Sequence, residues 1–163
     1  MKTLLLMRHA KSSWDDPTLQ DFDRPLNPRG LRDAPRMGQF LKQNAITPDQ
    51  IVTSTAVRAQ TTAKMVAAEC KVTDRVTAIS DLYHAGIDDW QEMVETFATD
   101  WSCVLCVGHN PGLEEYIGTI TNQYIRMPTA AIAHLSSDVD DWVSFADGVN
   151  VELHEVWKPK DLN

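Results

Sequence analysis

Thr3-Leu4-Leu5-Leu6-Met7 is an unbroken apolar run that ends in two basic side chains, Arg8 and His9. A strand that is apolar at every position is covered on both faces, the condition of a parallel sheet packed between helices. Val104-Leu105-Cys106-Val107 has the same character and runs out through Gly108 into His109. Ile51-Val52 is a shorter example with Arg58 downstream, and Arg75 to Ile79 is a weaker fourth candidate. Between these runs apolar residues recur at helical spacing, at Ala59, Ala63, Val66 and Cys70, and again at Trp90, Met93, Val94 and Phe97. The alternation of buried strands with amphipathic helices predicts an α/β fold.

Working outward, Asn27 to Asn44 carries a helical pattern through Leu31, Ala34, Met37 and Leu41. Pro35 lies inside it and removes a backbone hydrogen bond, so the segment is expected to kink there or to begin its helix near Asp33. Asn110-Pro111 reads as a cap followed by proline at the first helical position, opening a helix with Leu113, Tyr116, Ile117 and Ile120 on one face. From Ala131 the pattern turns to strands. Val149, Val151 and Leu153 alternate with polar residues after an Asp147-Gly148 turn, and Asp138, Asp140 and Asp141 read as a turn between strands. The expected architecture is three-layered α/β/α, with a mostly parallel sheet and an antiparallel C-terminal edge.

The whole chain of 163 residues, 43% hydrophobic and 23% charged, suits one domain over 1–163. With 15 Lys and Arg against 23 Asp and Glu, the net charge is −8, which disfavours broad attraction to nucleic acid or an anionic membrane. The tryptophans are scattered along the chain and form no base-stacking platform. Three cysteines cannot form a fully paired framework, and the N-terminal apolar run is too short for a leader or a membrane span. A reducing, cytoplasmic setting is therefore expected. Cys103 and Cys106 are spaced C-x2-C but sit among Val and Leu with no second ligand pair, so they read as buried strand rather than as a zinc site. No metal is expected.

If the apolar strands are parallel, Arg8, His9, Arg58 and His109 meet at one edge of the sheet, where open α/β sheets bind ligands. The helix that follows His109 would add its free N–H groups to an anion site there. His134 and His154 fall in the C-terminal strands and read as structural or exposed, whereas His84 lies in a loop after a strand.

Four blocks carry a resemblance to a known family. They are Leu5-Leu6-Met7-Arg8-His9-Ala10-Lys11-Ser12, Asp23-Arg24-Pro25-Leu26-Asn27-Pro28-Arg29-Gly30, Ser54-Thr55-Ala56-Val57-Arg58-Ala59-Gln60-Thr61 and Val107-Gly108-His109-Asn110-Pro111-Gly112. In order and content they resemble the histidine phosphatase superfamily, with its phosphoglycerate mutase-like fold, and more narrowly the short SixA-type phosphohistidine phosphatases. Ala10 departs from the superfamily's Arg-His-Gly signature. The resemblance implies that neutral His9 attacks phosphorus and forms a phosphohistidine that water cleaves. It assigns Arg8, Arg58 and His109 to the phosphoryl oxygens, without metal or cofactor. Larger members supply a proton donor from an insertion that this chain lacks, or from a loop after the third strand. Asp81 is the nearest candidate by position and His84 the second.

Lys11 and Ser12 follow His9 directly and are expected to contact substrate. Arg24 either reaches the phosphate or ties its loop to Asp21 or Asp23, and Asn110 either touches ligand or only caps its helix. A weak acid suits the departure of imidazole from a protein phosphohistidine better than that of an alkoxide. A phosphorylated protein is thus the first expectation for the partner. The alternatives are a phosphatase of small phosphoesters or phosphoserine, and a non-catalytic phosphate-binding module. A monomer or weak dimer is expected.

Overall fold

The computed structural model describes residues 1–162. One six-stranded sheet has the order β3-β2-β4-β1-β5-β6, formed by β1 (Lys2–Arg8), β2 (Gln50–Ser54), β3 (Val76–Ile79), β4 (Cys103–Gly108), β5 (Ile132–Ser137) and β6 (Glu152–Trp157). The first four strands in chain order pair in parallel, whereas β5 runs antiparallel to both β1 and β6. Helices α1 (Pro28–Gln43) and α2 (Val57–Cys70) cover one face; α3 (Ile87–Glu95), α4 (Gly112–Thr121) and α5 (Trp142–Ala146) cover the other. This is the three-layer α/β/α sandwich with an antiparallel C-terminal edge that the pattern predicts.

The apolar strands explain the two cores. On β1, Leu4 and Leu6 face the core beneath α3, α4 and α5, while Leu5 and Met7 face the core beneath α1 and α2; all four are fully buried. Each such side chain stabilises the fold by about 1.5–3 kcal/mol. The two cores differ in grain. Trp90, Tyr116, Trp142 and Phe145 fill the first, whereas the second has no buried aromatic ring and is filled by aliphatic and small side chains, with Gly38 of α1 lying directly against Val66 of α2. Among the described residues, no helix is long and apolar enough to cross a membrane.

Three local expectations change. Helix α1 begins at Pro28, not near Asp33, because Asn27 accepts a hydrogen bond from the Gly30 amide at 2.9 Å and Pro28 occupies the first position. Pro35 is accommodated inside the helix, and the Leu31 carbonyl that loses its partner belongs to an exposed residue that water can reach. Helix α4 begins at Gly112 with Pro111 at the cap position, so Asn110 does not cap it. The aspartate cluster does not lead directly into a strand. Asp141 caps the short α5, accepting from the Ser144 amide at 2.8 Å, and β6 starts only at Glu152.

The chain order places a crevice at the centre of the sheet. After β1 the chain leaves towards the α1 face; after the adjacent β4 it leaves towards the α4 face. Such a reversal opens a gap at the carboxyl ends of the two strands. Arg8 is in register with Gly108, so the next residues, His9 and His109, stand side by side at that gap.

Candidate active site

The floor of the site is backbone-determined. His9 donates its amide to the Gly108 carbonyl at 3.1 Å, and its ring centroid lies 5.1 Å from that of His109. His9 Nδ1 lies 2.8 Å from the Ala10 carbonyl, which can only accept. Nδ1 therefore carries the hydrogen and Nε2 the lone pair. Burial pushes the His9 pKa down to about 4; the Ala10 carbonyl opposes this, and the charges of Arg58, Arg8 and Arg24 add to it. The imidazole is a neutral base at pH 7. Ala10 is fully buried, donates to Thr62 Oγ1 at 3.0 Å and is not among the residues with positive φ, so alanine fits where the resemblance has glycine.

His109 Nε2 lies 2.8 Å from Ser54 Oγ, the last residue of β2. The same oxygen accepts from the Ala56 amide at 3.2 Å, which ties the His109 ring to the turn that opens α2. Burial is again the main reason that the pKa falls to about 3, with His9 and Arg58 contributing and Asp21 opposing. Arg8 donates from Nη1 to the Met127 carbonyl at 3.2 Å, while its buried Nε has no partner. The guanidinium is held against its own desolvation chiefly by the charge of Glu114.

The wall opposite is built from side chains. Asp21, in a single 3-10 turn at Asp21–Asp23, accepts from Arg24 Nη1 at 2.9 Å, Arg58 Nη2 at 3.0 Å and the Tyr83 hydroxyl at 2.5 Å. The Tyr83 hydrogen bond and the two guanidiniums hold its carboxyl well below the usual carboxylate range. Arg58 also donates to the Asp21 carbonyl at 2.6 Å. Arg24 ties the loop together: Nε bonds the Ser13 carbonyl at 3.0 Å, Nη2 bonds Ser12 Oγ at 2.5 Å, and Trp14 stacks on it with Cζ 3.2 Å from the ring centroid. Glycine is required at Gly30, where any side chain would run into the Lys11 carbonyl, so α1 packs directly under the loop that follows His9.

The structure brings Arg8, His9, Arg58 and His109 around one cleft of about 310 Å³, with Lys11, Ser12, Arg24 and Asn110 also lining it. Asn110 donates to Glu114 Oε1 at 2.9 Å and to the Met127 carbonyl at 3.0 Å, joining α4 to the segment behind Arg8. Asp81 stands apart: it is exposed on the turn Ser80–Leu82 and does not line the cleft. From the same loop, Tyr83 and His84 do line it, with their rings stacked at 3.9 Å. Asp21, Tyr83, Ser54 and Thr129 are cleft-forming or cleft-supporting residues that sequence reasoning passed over as site residues. The single carboxylate among two in Asp21-Phe22-Asp23 that faces the cleft has no signature of its own in the sequence.

The protein matches the family model of the histidine phosphatase superfamily (branch 1) over residues 4–105. An uncharacterized chloroplastic protein of Arabidopsis thaliana is 33% identical over 150 residues, which span 86% of this chain and 69% of that protein. The structure of a Nakamurella multipartitia protein described as a candidate phosphohistidine phosphatase SixA superposes with a TM-score of 0.81 at 27% identity, covering 97% of this chain and 96% of that one. The protein histidine phosphatase SixA in complex with tungstate superposes with a TM-score of 0.85 at 18% identity, covering 99% of each chain, and so shares the fold. With its motif-bearing residues gathered at the carboxyl edge of that fold, the chain belongs to the histidine phosphatase superfamily, branch 1.

Proposed function

We propose that the protein is a phosphatase that passes a phosphoryl group through His9, with a protein phosphohistidine as its substrate. The observation that carries this reading is the neutral His9 ring, its Nε2 lone pair free, set among Arg8, Arg58 and His109. Nε2 attacks phosphorus in line, the bond from phosphorus to the departing nitrogen breaks, and that nitrogen takes a proton from water. Water then attacks the phosphorus on His9, the new P–N bond breaks, and phosphate leaves. Arg8, Arg58 and the His109 ring neutralise the equatorial oxygens as charge builds on them.

The protonation states of the cleft favour a nitrogen leaving group. Asp21 is the one carboxylate that lines it among the described residues, and it is held ionised by Tyr83, Arg24 and Arg58. His109 is neutral at pH 7. Neither is an acid strong enough to protonate an alkoxide, a contribution of about 10²- to 10⁴-fold where a positioned acid exists, and of the two donor candidates Asp81 and His84 only His84 lines the cleft. Imidazole departs without that help.

Rapid quenching with a labelled phosphohistidine protein, under conditions that spare acid-labile phosphate, is the direct test. Label on His9 that turns over, and that is absent from His9→Ala, is the expected result. Equal inertness of wild type and variant towards both this substrate and an aryl phosphate would sink the catalytic reading. Faster turnover of small alkyl phosphates than of the phosphohistidine protein would move the assignment to small phosphoesters.

A further inference from the structure

Beside the cleft lies a second hollow of about 700 Å³, which shares Arg8, Asn110 and Thr129 with it. Three separate segments bring cations to its walls: α1 gives Arg29, Arg32 and Arg36, the chain after α4 gives Arg126, and the chain after β6 gives Lys158 and Lys160. On α1 the spacing of three and then four residues places its three arginines on one face. Together with Arg8, seven of the fifteen Lys and Arg of a chain with net charge −8 line this one hollow.

The two acidic residues of the hollow are already engaged. Asp33 is buried and lies 3.5 Å from Arg29, 3.3 Å from Arg32 and 3.6 Å from Arg36, so three guanidiniums share one carboxylate. Glu114 accepts from Asn110 and, at 2.7 Å, from the Met127 amide. Among the described residues, no carboxylate pairs with Arg126, Lys158 or Lys160. At the junction with the cleft, the buried Nε of Arg8 is without a partner. Like charges collected against their mutual repulsion, in a chain that is acidic overall, form a site for an anion.

We propose that the hollow is a second anion subsite, so that preferred substrates carry another phosphate or carboxylate beside the phosphoryl group that reaches His9. This rests on the cleft being the phosphoryl site. Arg8 contacts both hollows and couples them: a substrate that extends past the transferred group enters the cationic hollow next. An acidic flank of a phosphoprotein and a second phosphate on a small molecule offer guanidiniums the same chemistry.

The test titrates orthophosphate and inorganic tripolyphosphate calorimetrically into His9→Ala, which cannot form the phosphoenzyme. The titration is repeated in the same background with Arg126→Gln, Lys158→Gln and Lys160→Gln, three cations without ion pairs, so an unchanged melting temperature is expected. Tripolyphosphate should bind about tenfold more weakly to the multiple variant, with orthophosphate unchanged. Equal weakening of both ligands, or of neither, would overturn the proposal. Absence of orthophosphate binding would count against the phosphoryl site alone, because tripolyphosphate still reports on the hollow. The source of the anion follows from kcat/KM, with His9 restored, for phenyl phosphate, a hexose bisphosphate and an aspartate-flanked phosphohistidine peptide. A drop of about tenfold confined to the bisphosphate or to the peptide names it, and a drop no larger than that for phenyl phosphate in both overturns the subsite.

Discussion

The two sides of the cleft are built by different means. His9 and His109 are held by strand ends in register, a backbone hydrogen bond and buried contacts from β1, β4 and β2. The facing wall is anchored by backbone pairing of residues 11–13 with residues 25–27, and beyond that it is held by side chains converging on the exposed carboxylate of Asp21, from Arg24, Arg58 and Tyr83. A group fixed by the sheet cannot move without disturbing the core, whereas one fixed by a carboxylate moves when a competing anion arrives. Arg58 belongs to both sides. It is buried at the start of α2, yet its guanidinium is turned onto Asp21, so in the proposed reaction a phosphoryl group competes with that carboxylate for it.

The largest expected effect lies on the strand side. His9→Ala should lower phosphatase kcat by about 10⁴-fold or more while leaving orthophosphate binding in place, measured by turnover and calorimetry. A residual rate within tenfold of wild type would remove His9 from the chemistry. Next is Arg58→Ala, with a loss of about 10²- to 10³-fold in kcat/KM, as for other groups that stabilise developing charge.

Asp21→Asn separates the two sides. It should raise amide exchange across residues 12–24 without changing that of β1, and alter kcat/KM by about tenfold or less. Exchange that rises equally in β1 would show that the two walls are one unit. Smaller still is Asp81→Asn, expected within about twofold of wild type for phosphohistidine and aryl phosphate substrates, because this exposed carboxylate lies outside the cleft. A collapse of alkyl phosphate activity in this variant would make Asp81 the acid after all.

The pH dependence sharpens the same contrast. His9 is held down to about 4, against 6.5 for an ordinary histidine, so the unfolded chain binds a proton through that window that the folded one refuses. Stability is unaffected by this group above pH 6.5 and falls as the pH drops from 6.5 towards 4. The melting temperature of His9→Gln should fall less over that range than that of wild type. The His9 ring signals should stay those of a neutral imidazole down to pH 5 by NMR.

Much of the fold was legible because the centres of β1, Leu4 to Met7, and of β4, Val104 to Val107, are apolar at every position, and only strands covered on both faces tolerate that. The same runs located Arg8, His9 and His109, since a residue directly after a buried strand must emerge at the sheet edge. Local rules failed where tertiary contacts outweigh them. Helix α1 runs through Pro35 because its Asn27 cap and its packing on α2 exceed the loss of one hydrogen bond. Asn110 does not cap α4 because Pro111 stands at the cap position, and its Nδ2 instead bonds Glu114 and the Met127 carbonyl. Asp81, nearest by position, lies outside the cleft, while its neighbours Tyr83 and His84 reach it, because a short turn after β3 points successive side chains in different directions.

The sequence by itself determined the layers, the parallel strands and the four basic residues at their ends, because burial periodicity is a local property of the chain. Only the tertiary structure decided that Asp21 would hold Arg58 and Arg24, that His9 would present Nε2, and that cations from three distant segments would line one hollow. Those outcomes depend on which side chains meet across long stretches of chain, and on the burial and hydrogen-bond geometry that the meeting creates.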